Sequence, residues 1–369
     1  MTRTYTTRRR ELASLRLAAQ TIQLPSGREA PPDAAATVSR LLAVQAQDFA
    51  GATWSVGLRT PGATSAAIET ALASGEIVRS WPMRGTLHFV APEDLGWMLS
   101  VTAERTMRTA AGRHTQLELT DADFARARDL TEAALSGGRS IRRDELLRLF
   151  SDSGIAVDGQ RGAHLIGYLA HIALIVFGAV DGKQQTFALL DEWVASPRVL
   201  ERDEALAEFA LRYFTSHGPA TVRDFAWWAS LTLTDARRGL AAVQGSLEEL
   251  TVNETSYFHA PEFSAPDATP EPSGVVALPG FDEYLLGYSD RSAPLAEKFS
   301  ERIVPGKNGM FLPTIVVNGE VVGTWRRTVM AKSVRVESDP FVPLGAAAAR
   351  GFRDAASKYA RFIGRELVL

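Results

Sequence analysis

From about residue 30 onward, apolar positions recur at helical spacing in blocks, and each block is closed by short alternating or β-branched runs. The segment SIRRDELL from Ser140 and the segment ATVRDFAW from Ala220 both follow a Gly-containing break and both open such a helical pattern. Each is followed by a second helical stretch, Gly159–Leu174 and Thr234–Val243, and then by two short runs separated by Gly, Asp, Asn or Lys. The runs end alike: Phe187 precedes Asp191 and Glu192 as Tyr257 precedes Pro261 and Glu262. The same order is present nearer the N-terminus. There a helix near Ser65–Ala73 leads to strands around Ile77–Trp81 and Gly85–Val90, with His88 ahead of Pro92 and Glu93. Helix, turn, helix, hairpin is the winged-helix order, so the pattern predicts three such units in tandem, near residues 30–120, 121–200 and 201–265.

After the Pro-rich stretch Ala265–Ser273 the period changes to that of strands. Val275–Leu278, Thr314–Val317 and Glu320–Trp325 read as β, and Asn318-Gly319 joins the last two with the strongest two-residue hairpin signal. Strands near Ser333–Glu337 and Leu367–Leu369 flank a helix at about Leu344–Ile363. The expected class is α+β, with 1–120 an N-terminal arm and first winged helix, 121–200 and 201–265 the second and third, and 274–369 a β-rich, barrel-like domain.

Composition narrows the function. The chain of 369 residues is 46 % apolar and 22 % charged, which is globular composition and more than one core normally organises. Without cysteine there can be no disulfide, thiolate metal site or cysteine nucleophile. No window approaches eighteen uninterrupted apolar residues, and MTRTYTTRRR lacks the apolar stretch of a secretion signal; a cytoplasmic monomer with no membrane partner is expected. Net charge is −3, but its distribution is uneven: +3 over 1–120, −2 over 121–200, −6 over 201–270 and +2 over 271–369. A phosphate-binding surface should therefore draw on the two ends of the chain. That argues against the best-looking helix-turn-helix, Thr221–Ala229 and Thr234–Val243 with Arg237 and Arg238, as a reader of DNA, and Trp227-Trp228 point to packing there.

The first unit carries Arg8-Arg9-Arg10, Arg79, Arg84 and His88, and its helix at Ala34–Val44 runs into the polar string Gln45-Ala46-Gln47-Asp48. Residues two apart face opposite ways on a helix but the same way on an extended segment. If both glutamines face one cavity, the helix must end before them; otherwise the pair caps a helix end by bonding backbone groups.

At this point the chain resembles the AlkZ-like winged-helix DNA glycosylases. The resemblance spans nearly the whole sequence and is carried by LLAVQAQDF (Leu41–Phe49), RSWPMRGTLHFVAPEDL (Arg79–Leu95), GPATVRDFAWWASL (Gly218–Leu231), LPGFDEYLLGYSDR (Leu278–Arg291) and LPTIVVNGEVVGTW (Leu312–Trp325). It implies three tandem winged helices and a C-terminal β-barrel curled into a C around duplex DNA, with a Gln–aliphatic–Gln catalytic motif. Gln45-Ala46-Gln47 matches that motif residue for residue, whereas the YcaQ branch has aspartate at the second polar place. The implied reaction is hydrolysis of the N-glycosidic bond of N7-alkylated purines, including interstrand crosslinks, without lyase chemistry or cofactor. A purine alkylated at N7 is already cationic and a good leaving group. Two rigid neutral amides then have only to place water and stabilise an oxocarbenium-like transition state. The competing reading is a non-catalytic DNA-binding protein, either a regulator or a lesion binder.

Other residues carry weaker signals. Arg84, ahead of Gly85, is a phosphate-contact candidate, and His88 has two readings, packing or DNA contact. Arg8, Arg9, Arg10, Arg326 and Arg327 are candidates for the DNA-facing surface, with the Asn318-Gly319 hairpin beside the last two. Phe281-Asp282-Glu283-Tyr284 and Asp290-Arg291 form a polar cluster with two readings, lining the channel beside the glutamines or an ion-pair network linking barrel and winged helices with Arg291 as hub; Asp282 is the reserve catalytic carboxylate. His164 and His171, seven apart in an apolar helix, read as packing, and no metal motif or nucleotide-binding fingerprint is present.

Overall fold

The computed structural model describes residues 5–25, 27–181, 184–263, 274–307 and 309–368. The linker read at 265–273 lies outside them, as do the side chain of Arg8 and residue 369. Helix α1 (Tyr5–Ala19) precedes α2 (Ala34–Leu41), β1 (Val44–Gln45), α3 (Phe49–Arg59), α4 (Ser65–Ala73), β2 (Val78–Met83), β3 (Thr86–Val90) and the long α5 (Pro92–Gln116). Next come α6 (Asp121–Leu135), β4 (Ile141–Arg142), α7 (Arg143–Asp152), α8 (Arg161–His171), β5 (Ile175–Asp181), β6 (Gln184–Leu189) and α9 (Leu190–Trp193). A third set follows: α10 (Arg202–His217), α11 (Val222–Ala229), α12 (Leu233–Val243), β7 (Glu248–Val252) and β8 (Thr255–His259). The C-terminal part comprises β9 (Val275–Leu278), α13 (Glu283–Leu286), α14 (Ser300–Ile303), β10 (Thr314–Val317), β11 (Glu320–Val329), β12 (Ser333–Pro340), α15 (Ala346–Phe362) and β13 (Glu366–Val368).

The hairpins do not stay separate. Arg79 of β2 pairs with Phe177 of β5, which fuses the first two into one six-stranded sheet in the order β1-β3-β2-β5-β6-β4. Edge pairing satisfies backbone groups that each hairpin would otherwise expose. Only β7–β8 remains a two-stranded ribbon. The C-terminal strands form a five-stranded half-barrel sheet, β13-β12-β11-β10-β9, the β-rich domain expected there but not closed. Its β10–β11 turn, with Asn318 and Gly319 both at positive φ, is the hairpin anticipated from Asn-Gly. The turn is anchored on one side, where Tyr284 Oη donates to Gly319 O at 2.7 Å, while Asn318 is exposed and its Oδ1 accepts from Gly274 N.

The cores cross the expected boundaries. Trp54 and Val56 of α3 are buried with Trp325, Phe352 and Tyr359 of the C-terminal part, and a Cβ on Gly57 would lie 2.3 Å from the Phe362 ring, so glycine is required where α3 meets α15. Leu95, Trp97 and Met98 of α5 share a second core with Phe209, Tyr213 and Trp228. Helix α1 is stitched in through Leu17, against Leu278 and Tyr284, and through Leu15, against Ala260 and Phe263. The second unit keeps a largely private core around Phe150, Leu165 and Phe187.

One buried ion pair ties these parts together. Arg59, at the end of α3, makes a bidentate 2.9 Å contact with Asp282, with side chains 0 % and 2 % exposed. Asp282 also accepts from Ser55 Oγ at 2.7 Å and caps α13 through Tyr284 N at 3.0 Å. Arg59 also donates to Gln20 O, Gln20 Oε1 and Ser55 O, each at 2.9 Å. Removing one partner leaves a desolvated charge, so Asp282→Asn and Arg59→Met are each expected to lower stability by about 3–5 kcal/mol, read as a denaturant-midpoint shift at neutral pH.

Candidate active site

Helix α2 stops at Leu41 because Leu42 adopts positive φ (67°), and the chain leaves it extended. Val44 and Gln45 pair antiparallel with Phe89 and His88 of β3, and Ala46 N–H donates to Leu87 O at 2.7 Å. The expected helix to Val44 is thus shorter, and the glutamines lie beyond its end, as their joint use requires. Arg79 clamps the same strand from the other direction: its Nε and Nη2 donate to Ala46 O at 3.2 and 2.9 Å, and its guanidinium lies over the rings of Phe49 and Phe177. Burial there brings Arg79 down to about 10.

The two glutamines differ in setting. Gln45 is buried, and its Oε1 is enclosed with no hydrogen-bond partner among the described residues. Gln47 is exposed, and its Oε1 accepts from Leu87 N–H at 3.3 Å, so one of the pair does bond a backbone group. Because β1, β3 and β2 are adjacent, the registers Gln45↔His88 and Ser80↔His88 put Gln45, His88 and Ser80 in one row on one face of the sheet.

His88 is completely buried. A guanidinium only donates, so Arg84 Nη2, at 2.9 Å, fixes His88 Nε2 as acceptor and Nδ1–H as donor to Thr86 O at 2.8 Å. Burial, reinforced by the charge of Arg84, lowers its pKa to about 3. His88 is therefore a neutral spacer between Arg84 and Gln45. Arg84 and Gly85 both have positive φ (57° and 66°) and form the β2–β3 turn; a non-glycine residue there is held against a cost of order ~1 kcal/mol.

Beneath Gln45 lies Glu283, a member of the polar cluster read at Phe281-Asp282-Glu283-Tyr284, in which Asp282 was the one singled out. Glu283, fully buried on α13, accepts Gln45 N–H on Oε1 (3.2 Å) and Trp228 Nε1–H on Oε2 (2.7 Å), with His217 Nε2 at 3.5 Å. Burial would raise its pKa, but His217 and the Arg84 charge outweigh it and hold Glu283 at about 2, ionised. Only its position next to the Asp282 cap hinted at this. The enclosed atoms Gln45 Oε1, Ser80 Oγ, Arg84 Nη1 and Thr86 Oγ1 lack hydrogen-bond partners among the described residues, so unsatisfied polar groups gather around this strand and its neighbours.

The reserve carboxylate has no such freedom. Asp282 is saturated by Arg59, Ser55 and Tyr284, and the hub of its network is Arg59, with Arg291 elsewhere. The other basic candidates are mostly engaged with protein. Arg9 Nη2 donates to Leu295 O at 3.4 Å, Arg10 pairs with Glu320 at 3.2 Å, and exposed Arg326 is bidentate to Glu337, its cross-strand partner, at 3.0 and 3.1 Å. Arg327 points the other way, over Tyr359 and 3.5 Å from Asp48, the residue after Gln47. Of the two tryptophans read as packing, Trp228 is buried but Trp227 is 38 % exposed. His164 lies against His114, and no group of three potential metal ligands occurs among the described residues. No helix there is long and apolar enough to cross a membrane.

The family described as DNA glycosylase AlkZ-like matches residues 38–362, across this strand, the buried Glu283 and the C-terminal sheet. The chain belongs to that family. A curated AlkZ-like relative, the interstrand DNA cross-link repair glycosylase of Streptomyces sahachiroi, is 30 % identical over 316 residues, 80 % of this chain and 82 % of the relative. The solved structure of Streptomyces sahachiroi DNA glycosylase AlkZ superposes with a TM-score of 0.80 at 25 % identity, covering 97 % of this chain and 99 % of that one. The AlkZ-like chain is thus a mixed α and β protein with the fold of that glycosylase.

The histidine makes stability pH-dependent. Unfolded, His88 titrates near 6.5; folded, it stays neutral to about 3. Its contribution is complete above 6.5 and is lost as pH falls towards 3, so unfolding free energy should decline across that window. In His88→Gln the decline should be shallower, as measured by urea titrations from pH 7 to pH 4.

Proposed function

We propose that this protein is a monofunctional DNA glycosylase that hydrolyses the N-glycosidic bond of N7-alkylated purines in duplex DNA, interstrand crosslinks included. The carrying observation is the enclosed, unpartnered Oε1 of Gln45 on a strand whose backbone is held at Gln45 by Glu283 and at Ala46 by Leu87 and Arg79. In this reading the tandem helix-turn-helix-hairpin units and the C-terminal sheet line a concave channel for the duplex, and Gln45 and Gln47 sit at its inner wall.

With no protein partner on its Oε1 among the described residues, the carboxamide of Gln45, 7 % exposed, is free to turn that oxygen to the attacking water and orient the water's lone pair towards the anomeric carbon; the proton released as the C–O bond forms passes to solvent. Gln47, at the mouth, adds its carboxamide dipole. A cationic leaving base needs no general acid, so neutral amides suffice for departure. The positive charge that develops on the sugar lies above an ionised Glu283, which reaches the reaction through Gln45 and does not touch the substrate. In a buried setting a fixed anion is worth more than in water. Glu283 is thus a positioning and electrostatic residue, and no step requires a lysine or a Schiff base, so an intact abasic site is the product.

The relative's crosslink activity comes to this chain through the shared fold and the matching Gln-Ala-Gln string. Incubation with duplex containing 7-methylguanine should release free base, with strand cleavage only after alkali. Single-turnover rates for Gln45→Ala and Gln47→Ala should fall by about 10²–10³, the usual loss when a preorganised dipole is removed. Rates equal to wild type for both, or base release at background for wild type, would sink the assignment. Glu283→Gln keeps the acceptor for Gln45 N–H but removes the charge, so kcat should fall with little change in KM.

A further inference from the structure

Beside the glutamine strand, four side chains from three parts of the chain stand in sequence. Arg84, from the β2–β3 turn, lies with its guanidinium carbon 5.5 Å from the ring centre of Trp227 on α11. Arg291 lies 5.0 Å from the same ring and 4.8 Å from that of Phe311. Arg291 is held by Nε donating to Leu285 O at 2.8 Å; its two Nη groups have no protein acceptor among the described residues and are not enclosed. Neither arginine has a carboxylate within ion-pair distance among the described residues.

Such an arrangement is unfavourable by itself. Two like charges share one indole in a half-buried setting, and burial lowers the pKa of both, with the Arg84 charge adding to the effect on Arg291. Stacking on Trp227 offsets part of this. The nearest carboxylates act at a distance: Glu283 on Arg84, and Asp224 and Asp290 on Arg291. Asp224 is already engaged by Thr221, Ser289 and Asp290 N–H groups, and Asp290 by Ser292 N–H. An arginine pair with no carboxylate in ion-pair contact among the described residues, held against an aromatic ring and open at the Arg291 Nη groups, is built to receive an anion from outside.

We propose that Arg291 and Arg84, spaced by Trp227, form a binding site for one phosphodiester of the DNA strand, with Arg291 Nη1 and Nη2 as the contacting donors and Arg84 as the second charge behind them. The site rests on the glycosylase reading for the identity of its ligand. Arg84 also contacts His88, which faces Gln45 across the β1–β3 ladder, so a phosphate held here fixes the strand relative to the glutamines. Arg291 is thereby a substrate-positioning residue, and Trp227, read from sequence as packing, is the platform that keeps the two guanidiniums in place.

The experiment uses the full chain and duplexes carrying one 7-methylguanine and a single uncharged methylphosphonate linkage, moved in turn through the three linkages on each side of the lesion. Wild type should lose about tenfold in affinity at one linkage, as expected for loss of one charge-assisted contact. Arg291→Gln should be weaker on the natural duplex and lose nothing further at that linkage, and its log Kd against log salt should be shallower by about 0.9. Trp227→Leu should behave likewise. Equal losses for wild type and Arg291→Gln at every linkage overturn the site; so does a wild type indifferent to all six, which decides the matter even where melting shows a variant unfolded. Base release is followed in the same samples. Release without the linkage effect overturns the phosphate site and leaves the glycosylase reading, and the linkage effect without release does the reverse.

Discussion

The site depends on a buried salt bridge that does no chemistry. Arg59 and Asp282, desolvated together, fix the end of α3 to the start of α13. The next residue after Asp282 is Glu283, so any slip of the bridge moves the carboxylate that receives Gln45 N–H. A buried pair of this kind is weak evidence for net stability, since well-packed apolar groups often serve as well. What it supplies is register: two segments more than two hundred residues apart are aligned to within hydrogen-bonding tolerance, and the helix between Asp282 and Gly287 is too short to hold its place otherwise.

The same economy explains how two neutral side chains can sit in a charged neighbourhood. Gln45 is placed through its main chain, leaving the carboxamide uncommitted. His88 separates Arg84 from Gln45 as an uncharged ring, kept so by burial and by the guanidinium that donates to it. Cation, neutral ring, neutral amide and underlying anion follow one another across a few side chains. The arrangement suits a reaction in which a positively charged base leaves and positive charge appears on the sugar.

Much of this was legible in the sequence where the information is local. The Asn318-Gly319 turn, the end of α2 ahead of Gln45 and the strand Val275–Leu278 all follow from neighbouring residues. The partners of the basic candidates were hidden for the opposite reason. Arg326 is occupied by Glu337, a partner set by strand register, and Arg10 by Glu320, which is 310 positions away. Asp282 and Glu283 were visible as a pair of carboxylates, but which one faces the motif depends on the α13 cap and on Arg59, a residue with no sequence signal of its own. The fusion of the first two hairpins was hidden too, because one strand pairing, Arg79 with Phe177, decides it.

The division of the cores bears on how the molecule breathes. Helices α3, α5 and α10 lie in cores that join distant parts of the chain, while Phe150, Leu165 and Phe187 belong to one that the second unit keeps nearly to itself. Cooperative opening follows shared apolar contacts. The hairpin of the second unit is nonetheless tied to the larger block, since Arg79 holds both Ala46 O and Gln185 and Val176 of β5 lies in the larger core, so it is α6 and α7, packed through Phe124 and Phe150, that can open as a local foldon without disturbing the glutamine strand.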